Sequence, residues 1–403
     1  SGYLTAIVRS PITSIILLFE MTQKLNYFLP IALCCLFAYM TANILGTKPV
    51  YEYLLDRILT SNKLEDNEVE MEVEILTTIS NDSFLVGKSI REIEEIMGNL
   101  AVIFAGQGSQ YEGMGSKLYD RYPEIRGIYD RLGRELTDMS FRGSIDDISK
   151  TNNLQPIMIA FQLAVLKLIR THKPDLLKGL LSTCGLSLGE YSALALSEII
   201  DEGDALRLVA VRGALMGEAS ENRNSKMLAI LKMTEDEVRE VLQGNPKFED
   251  KVYIANINSS RQIIVSGEGD AIDELKDFLK ANRKLAKPLA VSGAFHTPFM
   301  ESARVGFMKT LEGTSFRVPE ISYYPNVTGE KYDGTSMVHV LSEQIVSPVL
   351  LYKTFKNMVD DGVTRFLEIG PGGVLSTILE REFEGLEVST IKNDDDLIEL
   401  LEA

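Results

Sequence analysis

This chain is poor in the residues that make cross-links and metal sites: only three cysteines and three histidines occur among 403 residues. That scarcity excludes a disulfide scaffold and argues against a multi-ligand zinc site. Basic charge is short as well. Lys and Arg total 41 against 58 Asp and Glu, a net charge of −17. A general nucleic-acid binder needs a basic surface to meet phosphate, so that class is set aside. Apolar mass is plentiful: 45% of the residues are hydrophobic, enough for a large core. The length predicts two or three units at roughly 100–200 residues each.

The averages conceal a seam. Residues 1–60 carry four basic residues (Arg9, Lys24, Lys48, Arg57), three acidic ones (Glu20, Glu52, Asp56) and two of the cysteines, Cys34 and Cys35. The remainder holds 37 basic and 55 acidic residues, a net of −18. From Tyr27 to Leu45 run 19 residues without a charge. A helix crosses a bilayer core with about 20 apolar residues, so this is a transmembrane candidate; a buried core helix is the alternative. Ile12–Phe19 is too short to span alone, although it suits half of a broken helix packed inside protein. A secretory signal peptide fits poorly, because Arg9, Glu20 and Lys24 interrupt the region and no clean small-residue cleavage site follows.

Two strings here, RSPITSIILLFEMT (Arg9 to Thr22) and GTKPVYEYLL (Gly46 to Leu55), resemble the chloride-channel family. The resemblance covers about residues 1–58 and implies the last membrane helices of such a protein. By it, Tyr51 falls where the family sets a tyrosine hydroxyl against the central chloride ion. The family's Ser-bearing and Glu-bearing loops have no counterpart here. One tyrosine cannot replace an ion's hydration shell, so this fragment is not expected to conduct by itself. Residues 61–97 are polar and acidic, then alternate, and read as a linker. FLVGKSIREIEEI also looks like the opening of the regulatory domain often attached to potassium and chloride transport proteins, here truncated.

After Met97-Gly98 the pattern changes. AVIFAGQGSQYEGMG is an apolar run, predicted to be a buried strand, that ends in a turn built on Gly106 and Gly108. The turn lacks the Lys-Ser/Thr ending of a nucleotide P-loop and the three-glycine dinucleotide fingerprint. GLLSTCGLSLGEYSALAL is more specific. It sets Gly185-Leu186-Ser187-Leu188-Gly189, a G-x-S-x-G nucleophile elbow, between a strand-like and a helix-like run. Such a turn presents the Ser187 hydroxyl at a helix N-terminus, where amides and dipole favour developing negative charge. The plainer alternative is a Gly-Ser turn that caps a helix. A nucleophilic serine needs a base. His172 lies in a helix-end string and His339 in a mixed segment without glycine or proline framing. His296, in AVSGAFHTPFM between a strand-like run and a proline, is the best placed.

Six strings now stand in order: GQGSQ, GLSLGEYSA, RLVAVRG (Arg207 to Gly213), SGAFHTPFM, SEQIVSPV and EIGPGGVLS. Together they resemble the malonyl-CoA:acyl carrier protein transacylase family over about residues 97–403, and Met97 suits a native start. The resemblance implies Ser187 as the nucleophile that carries the acyl ester and His296 as general base, then acid. It implies that Arg212 grips the free malonyl carboxylate, which a guanidinium fork does bidentately. The backbone amides of Gln107 and Leu188 match the family's oxyanion hole, a feature worth roughly 10²–10³ in rate per donor. Gln344 matches a glutamine that lines the site and helps hold the histidine. Asn326, in YYPNVTG, is a looser pocket candidate. No third carboxylate is demanded. Leu186 departs from the family, which commonly has histidine before the nucleophile, and so bears on elbow packing and acyl turnover.

The expected fold is α/β: an α/β-hydrolase-like core with a ferredoxin-like subdomain at 224–291, preceded by a mostly helical transmembrane fragment. Units are expected at 1–60, 61–97 and 98–403. The expected partners are acyl carrier protein and a coenzyme A thioester, with no bound cofactor and no metal. Carriers of this kind are acidic, as this chain is, so docking requires a local basic patch. Arg283, Lys284 and Lys287 in ANRKLAKPLA are the candidates, a solvated helix end being the alternative. The enzyme unit is expected in the cytoplasm, tethered to a membrane if residues 1–60 are translated with it. Two other functions compete: a membrane ion-transport fragment with an attached soluble domain, and a serine esterase resting on the elbow alone.

Overall fold

A computed structural model describes residues 99–402, apart from 109, 222 and 290–292. The expected membrane fragment, the 61–97 segment and Tyr51 lie outside the described residues. Apolar strings in the described part form two sheets. β1 (Leu100–Phe104), β2 (Leu180–Gly185), β7 (Ser322–Tyr323), β8 (Arg365–Ile369) and β9 (Glu387–Ile391) make a five-stranded parallel sheet in the order β7-β2-β1-β8-β9. Every residue of LAVIF in central β1 is buried, whereas edge strand β9 alternates between outward and inward positions. A parallel sheet is covered on both faces, so its inner strands read as continuous apolar runs.

One cover is helix α1 (Thr151–His172), whose middle, from Leu154 to Leu166, is buried without a break. A helix apolar all round belongs inside a core. Among the described residues it is the one helix long and apolar enough to cross a membrane, and here it is packed within the fold. Helix α2 (Glu190–Leu196) follows β2 directly, and α3 (Glu202–Glu221) carries the RLVAVRG string.

Residues 225–288 form the second sheet in the order β4-β5-β3-β6, antiparallel throughout. Its strands are β3 (Ser225–Leu231), β4 (Val252–Ser259), β5 (Gln262–Glu268) and β6 (Leu285–Pro288). Helix α4 (Glu235–Gln243) joins β3 to β4, and α5 (Gly269–Ala281) joins β5 to β6. The chain order strand-helix-strand-strand-helix-strand is the one that the sequence suggested. Thr234 starts α4 with a full capping box: its hydroxyl accepts the Glu237 N–H while the Glu237 carboxylate accepts the Thr234 N–H. Val238 on α4 and Ile272, Leu275 and Leu279 on α5 are buried in one apolar cluster with the strands.

Candidate active site

β2 ends at Gly185 and the chain reverses at once into a helical turn, Ser187–Gly189, and then α2. The reversal leaves no room for side chains on its inner side. A Cβ on Gly185 would lie 2.1 Å from the Gly189 carbonyl carbon, and one on Gly189 would lie 2.3 Å from the Phe104 oxygen. Between those glycines Ser187 is held at φ 51°, in the left-handed region. Such a position costs on the order of 1–3 kcal/mol for a residue with a side chain and persists only where its surroundings enforce it. Here the Ser187 N–H donates to Asn326 Oδ1 at 2.7 Å, and Asn326 Nδ2 donates to the Gly185 carbonyl at 2.6 Å. Asn326 therefore ties the elbow together from behind, a more definite role than the pocket lining expected of it.

His296 Nε2 lies 2.7 Å from Ser187 Oγ. The ring's other nitrogen lies 2.7 Å from the backbone carbonyl of Gln344. A carbonyl only accepts, so Nδ1 carries the proton and Nε2 is free to accept the serine's. His296 also sits at positive φ, 60°, and is almost wholly buried. Burial first, and then the nearby Arg212 charge, press its pKa down to about 4, against the raising effect of the Gln344 carbonyl. The imidazole is thus neutral at physiological pH. Gln344, expected to help hold the histidine, touches it through its backbone oxygen; its side chain does something else.

Arg212, on α3, is 1% exposed. Its terminal nitrogens donate to Gln155 Oε1 at 2.8 Å, Gln344 Oε1 at 2.9 Å and Ser187 Oγ at 3.2 Å, while Nε has no partner. The guanidinium lies 5.6 Å from the centre of the Tyr191 ring. A buried cation held by neutral amides, with one donor unused, favours an anionic ligand. Gln344 Nε2 donates to the Ser187 carbonyl at 2.7 Å and to Glu190.

The loop side of the site is plainer. Leu188 is buried within the first helical turn, where early amides have no partner inside the helix. Gln107 is half-buried in a loop shaped by the Gly108 N–H, which donates to Gln110 Oε1 at 3.0 Å. Leu186 donates its N–H to Phe104 at 2.9 Å, and its side chain packs against the cluster containing Cys184 and Tyr324.

The other histidines stand apart. His172 ends α1 with its ring against Glu124, and His339 is exposed. Of the basic trio, Lys284 is engaged with Glu237 at 3.3 Å and Lys287 is exposed on edge strand β6. No cluster of metal-ligating side chains occurs among the described residues.

Two residues of the constellation escaped the sequence reading. Gln155 is a glutamine in a long apolar helix string, and only packing shows that it faces Arg212. Glu190 left a signal: a carboxylate directly after the elbow's second glycine, inside an apolar run.

An acyl transferase domain matches residues 102–394. The chain belongs to the acyl transferase family. This acyl transferase is 32% identical over 312 residues to the malonyl CoA-acyl carrier protein transacylase of Bacillus subtilis, covering 75% of this chain and 96% of that one. Its fold is similar to the crystal structure of MCAT from Streptococcus pneumoniae, with TM-score 0.69, 33% identity, and 75% and 99% of the two chains covered. It is also similar, at TM-score 0.69 and 30% identity over 75% and 99% of the chains, to a malonyl-transacylase solved in complex with a type II PKS acyl-carrier protein. A voltage gated chloride channel family matches residues 1–43, at the N-terminal end of this chain. That match stops short of the Gly46–Leu55 string and of Tyr51, so the likeness is narrower than the sequence reading had it.

Proposed function

We propose that the acyl transferase moves a malonyl group from coenzyme A to the phosphopantetheine thiol of an acyl carrier protein in fatty-acid synthesis. It is an acyl-carrier-protein S-malonyltransferase acting through a seryl ester. The observation that carries the reading is one oxygen, Ser187 Oγ, within 2.7 Å of a neutral imidazole and 3.2 Å of a buried guanidinium.

His296 Nε2 takes the hydroxyl proton as Oγ bonds to the thioester carbonyl carbon. The carbonyl electron pair moves to oxygen, which the Leu188 and Gln107 amides receive. The intermediate collapses, the carbon–sulfur bond breaks, and the proton on His296 goes to the coenzyme A sulfur. The carrier's thiol then enters and the steps run in reverse. Arg212 pairs the malonyl carboxylate; an acyl group without one leaves the guanidinium uncompensated. An esterase acting on simple esters has no use for that buried cation. The chemistry calls for no bound cofactor.

We assign residues 98–403 to the transferase, with an α/β-hydrolase-like core and a ferredoxin-like subdomain at 224–291, and place it in the cytoplasm. Intact-mass measurement after mixing with malonyl-CoA tests the reading. The expected result is one malonyl adduct in wild type and none in Ser187→Ala; an adduct that persists in the variant overturns it.

A further inference from the structure

Glu190 is the first residue of α2 and is fully buried. Its carboxylate meets donors only. Oε1 accepts the Tyr323 hydroxyl and, at 2.8 Å, the Asn326 N–H; Oε2 accepts from Gln344 Nε2. Two of those three partners hold the reacting groups. Asn326 grips the Ser187 N–H. Gln344 bonds His296 through its backbone oxygen, Arg212 through its side-chain oxygen and the Ser187 carbonyl through its side-chain nitrogen.

A side-chain amide can sit either way round, and its neighbours choose. An anionic Glu190 beside the Ser187 carbonyl makes two acceptors on one side of Gln344, so the amide nitrogen must face them. The amide oxygen then faces Arg212. Were Glu190 to become a donor, the amide nitrogen would lose one of its two acceptors and keep only the Ser187 carbonyl, so the hold on the amide, and on the Arg212 fork that it faces, would loosen. We propose that Glu190 is a positioning residue for the transfer: as a carboxylate it fixes the Gln344 amide, and through it the Arg212 fork that receives the acyl group's free carboxylate. This rests on the transacylase reading.

The ionisation of Glu190 lies within reach of ordinary pH. Burial raises its pKa to about 7, against the lowering effects of the Tyr323, Asn326 and Gln344 bonds and of the Arg212 charge. The titratable groups around it are Tyr323 on β7, Tyr191 on its own helix, Cys184 on β2 and Arg212 on α3. Burial pushes the two tyrosines and the cysteine further up, so none of them gains or loses a proton near neutrality. His296, down at about 4, stays neutral there too. Use of malonyl-CoA therefore falls on the acid side as Glu190 protonates, near pH 7 rather than near 4.

The test compares malonyl-CoA with acetyl-CoA in wild type, Glu190→Gln and Tyr323→Phe. In Glu190→Gln, KM for malonyl-CoA is expected to rise by about tenfold or more, while acetyl transfer changes little. The acid limb for malonyl-CoA disappears. Tyr323→Phe removes one bond to the carboxylate and moves that limb to higher pH. If Glu190→Gln fails to fold, the Tyr323→Phe limb decides alone, and a limb that stays in place overturns the assignment. Equal losses with both thioesters overturn it as well. An infrared carbonyl band of a buried carboxylic acid, titrating near neutrality and lost in Glu190→Gln, needs no substrate. With that band present and no malonyl ester on wild-type Ser187, it is the transacylase reading that fails.

Discussion

Among the described residues two carboxylates, Glu190 and Glu368, have no exposure at all and accept only uncharged donors, yet they work in different regions. Glu368, on β8, takes the N–H groups of Leu375 and Ser376 at 3.2 and 2.8 Å and the Ser376 hydroxyl at 2.6 Å. It thereby caps helix Val374–Glu382, where the dipole favours an anion. Glu190 takes its donors from Tyr323, Asn326 and Gln344, two of which hold Ser187, His296 and Arg212. Burial raises the pKa of both. Burial and a perturbed pKa therefore do not by themselves mark a site. What separates the two residues is what their partners touch.

The largest expected effect lies at His296, the proposed base, whose ring Glu190's partner Gln344 holds. His296→Ala is expected to slow malonyl transfer by about 10²–10⁴ while the protein stays folded, measured as the rate of adduct formation. Next comes the link itself. Gln344→Ala is expected to lose about tenfold or more in kcat/KM for malonyl-CoA, and adding Glu190→Gln should cost little beyond that. Full additivity of the two would break the comparison, because Glu190 would then act by another route. Glu368→Ala sharpens it from the other side. It strands buried donors at about 1–3 kcal/mol each, so Tm should fall by several degrees, while the malonyl-to-acetyl preference stays as in wild type.

A smaller effect is the pH dependence of stability. His296 has its pKa lowered from 6.5 to about 4, so its contribution is present above 6.5 and is lost as pH falls through that window. Glu190 is raised from 4.5 to about 7, so its contribution is present below 4.5 and is lost as pH rises. The two slopes oppose each other across nearly the same range. Glu190→Gln should therefore leave a Tm that drops more steeply than wild type's between pH 6.5 and 4. Smallest of all is Lys284→Glu. Because Lys284 is already engaged with Glu237, carrier-protein use should fall less than in Lys287→Glu, with reaction of malonyl-CoA spared in both.

Much of the site was legible in the chain. Gly185 and Gly189 around Ser187 announce a sharp turn because only glycine survives contacts of 2.1 and 2.3 Å. His296 stood out among three histidines because a loop between a strand and a proline is where a base can be aimed. The antiparallel sheet was readable too, since short apolar strand-like strings and amphipathic helix-like ones follow in strand-helix-strand-strand-helix-strand order over 225–288.

Other features depended on distance in sequence. Gln155, Glu190 and Gln344 meet Arg212 or one another across separations of 57 to 154 residues, and no local pattern encodes that meeting. The use of the Gln344 backbone oxygen, where a third carboxylate sits in other serine enzymes, is equally invisible, because every residue has a carbonyl. The sequence by itself determined the turn and singled out Ser187 and His296, since local sterics and residue chemistry act within a few positions. Only the tertiary structure decided which polar groups lost their water together. In that dry interior a hydrogen bond's partner, more than the residue's type, sets charge, orientation and reactivity.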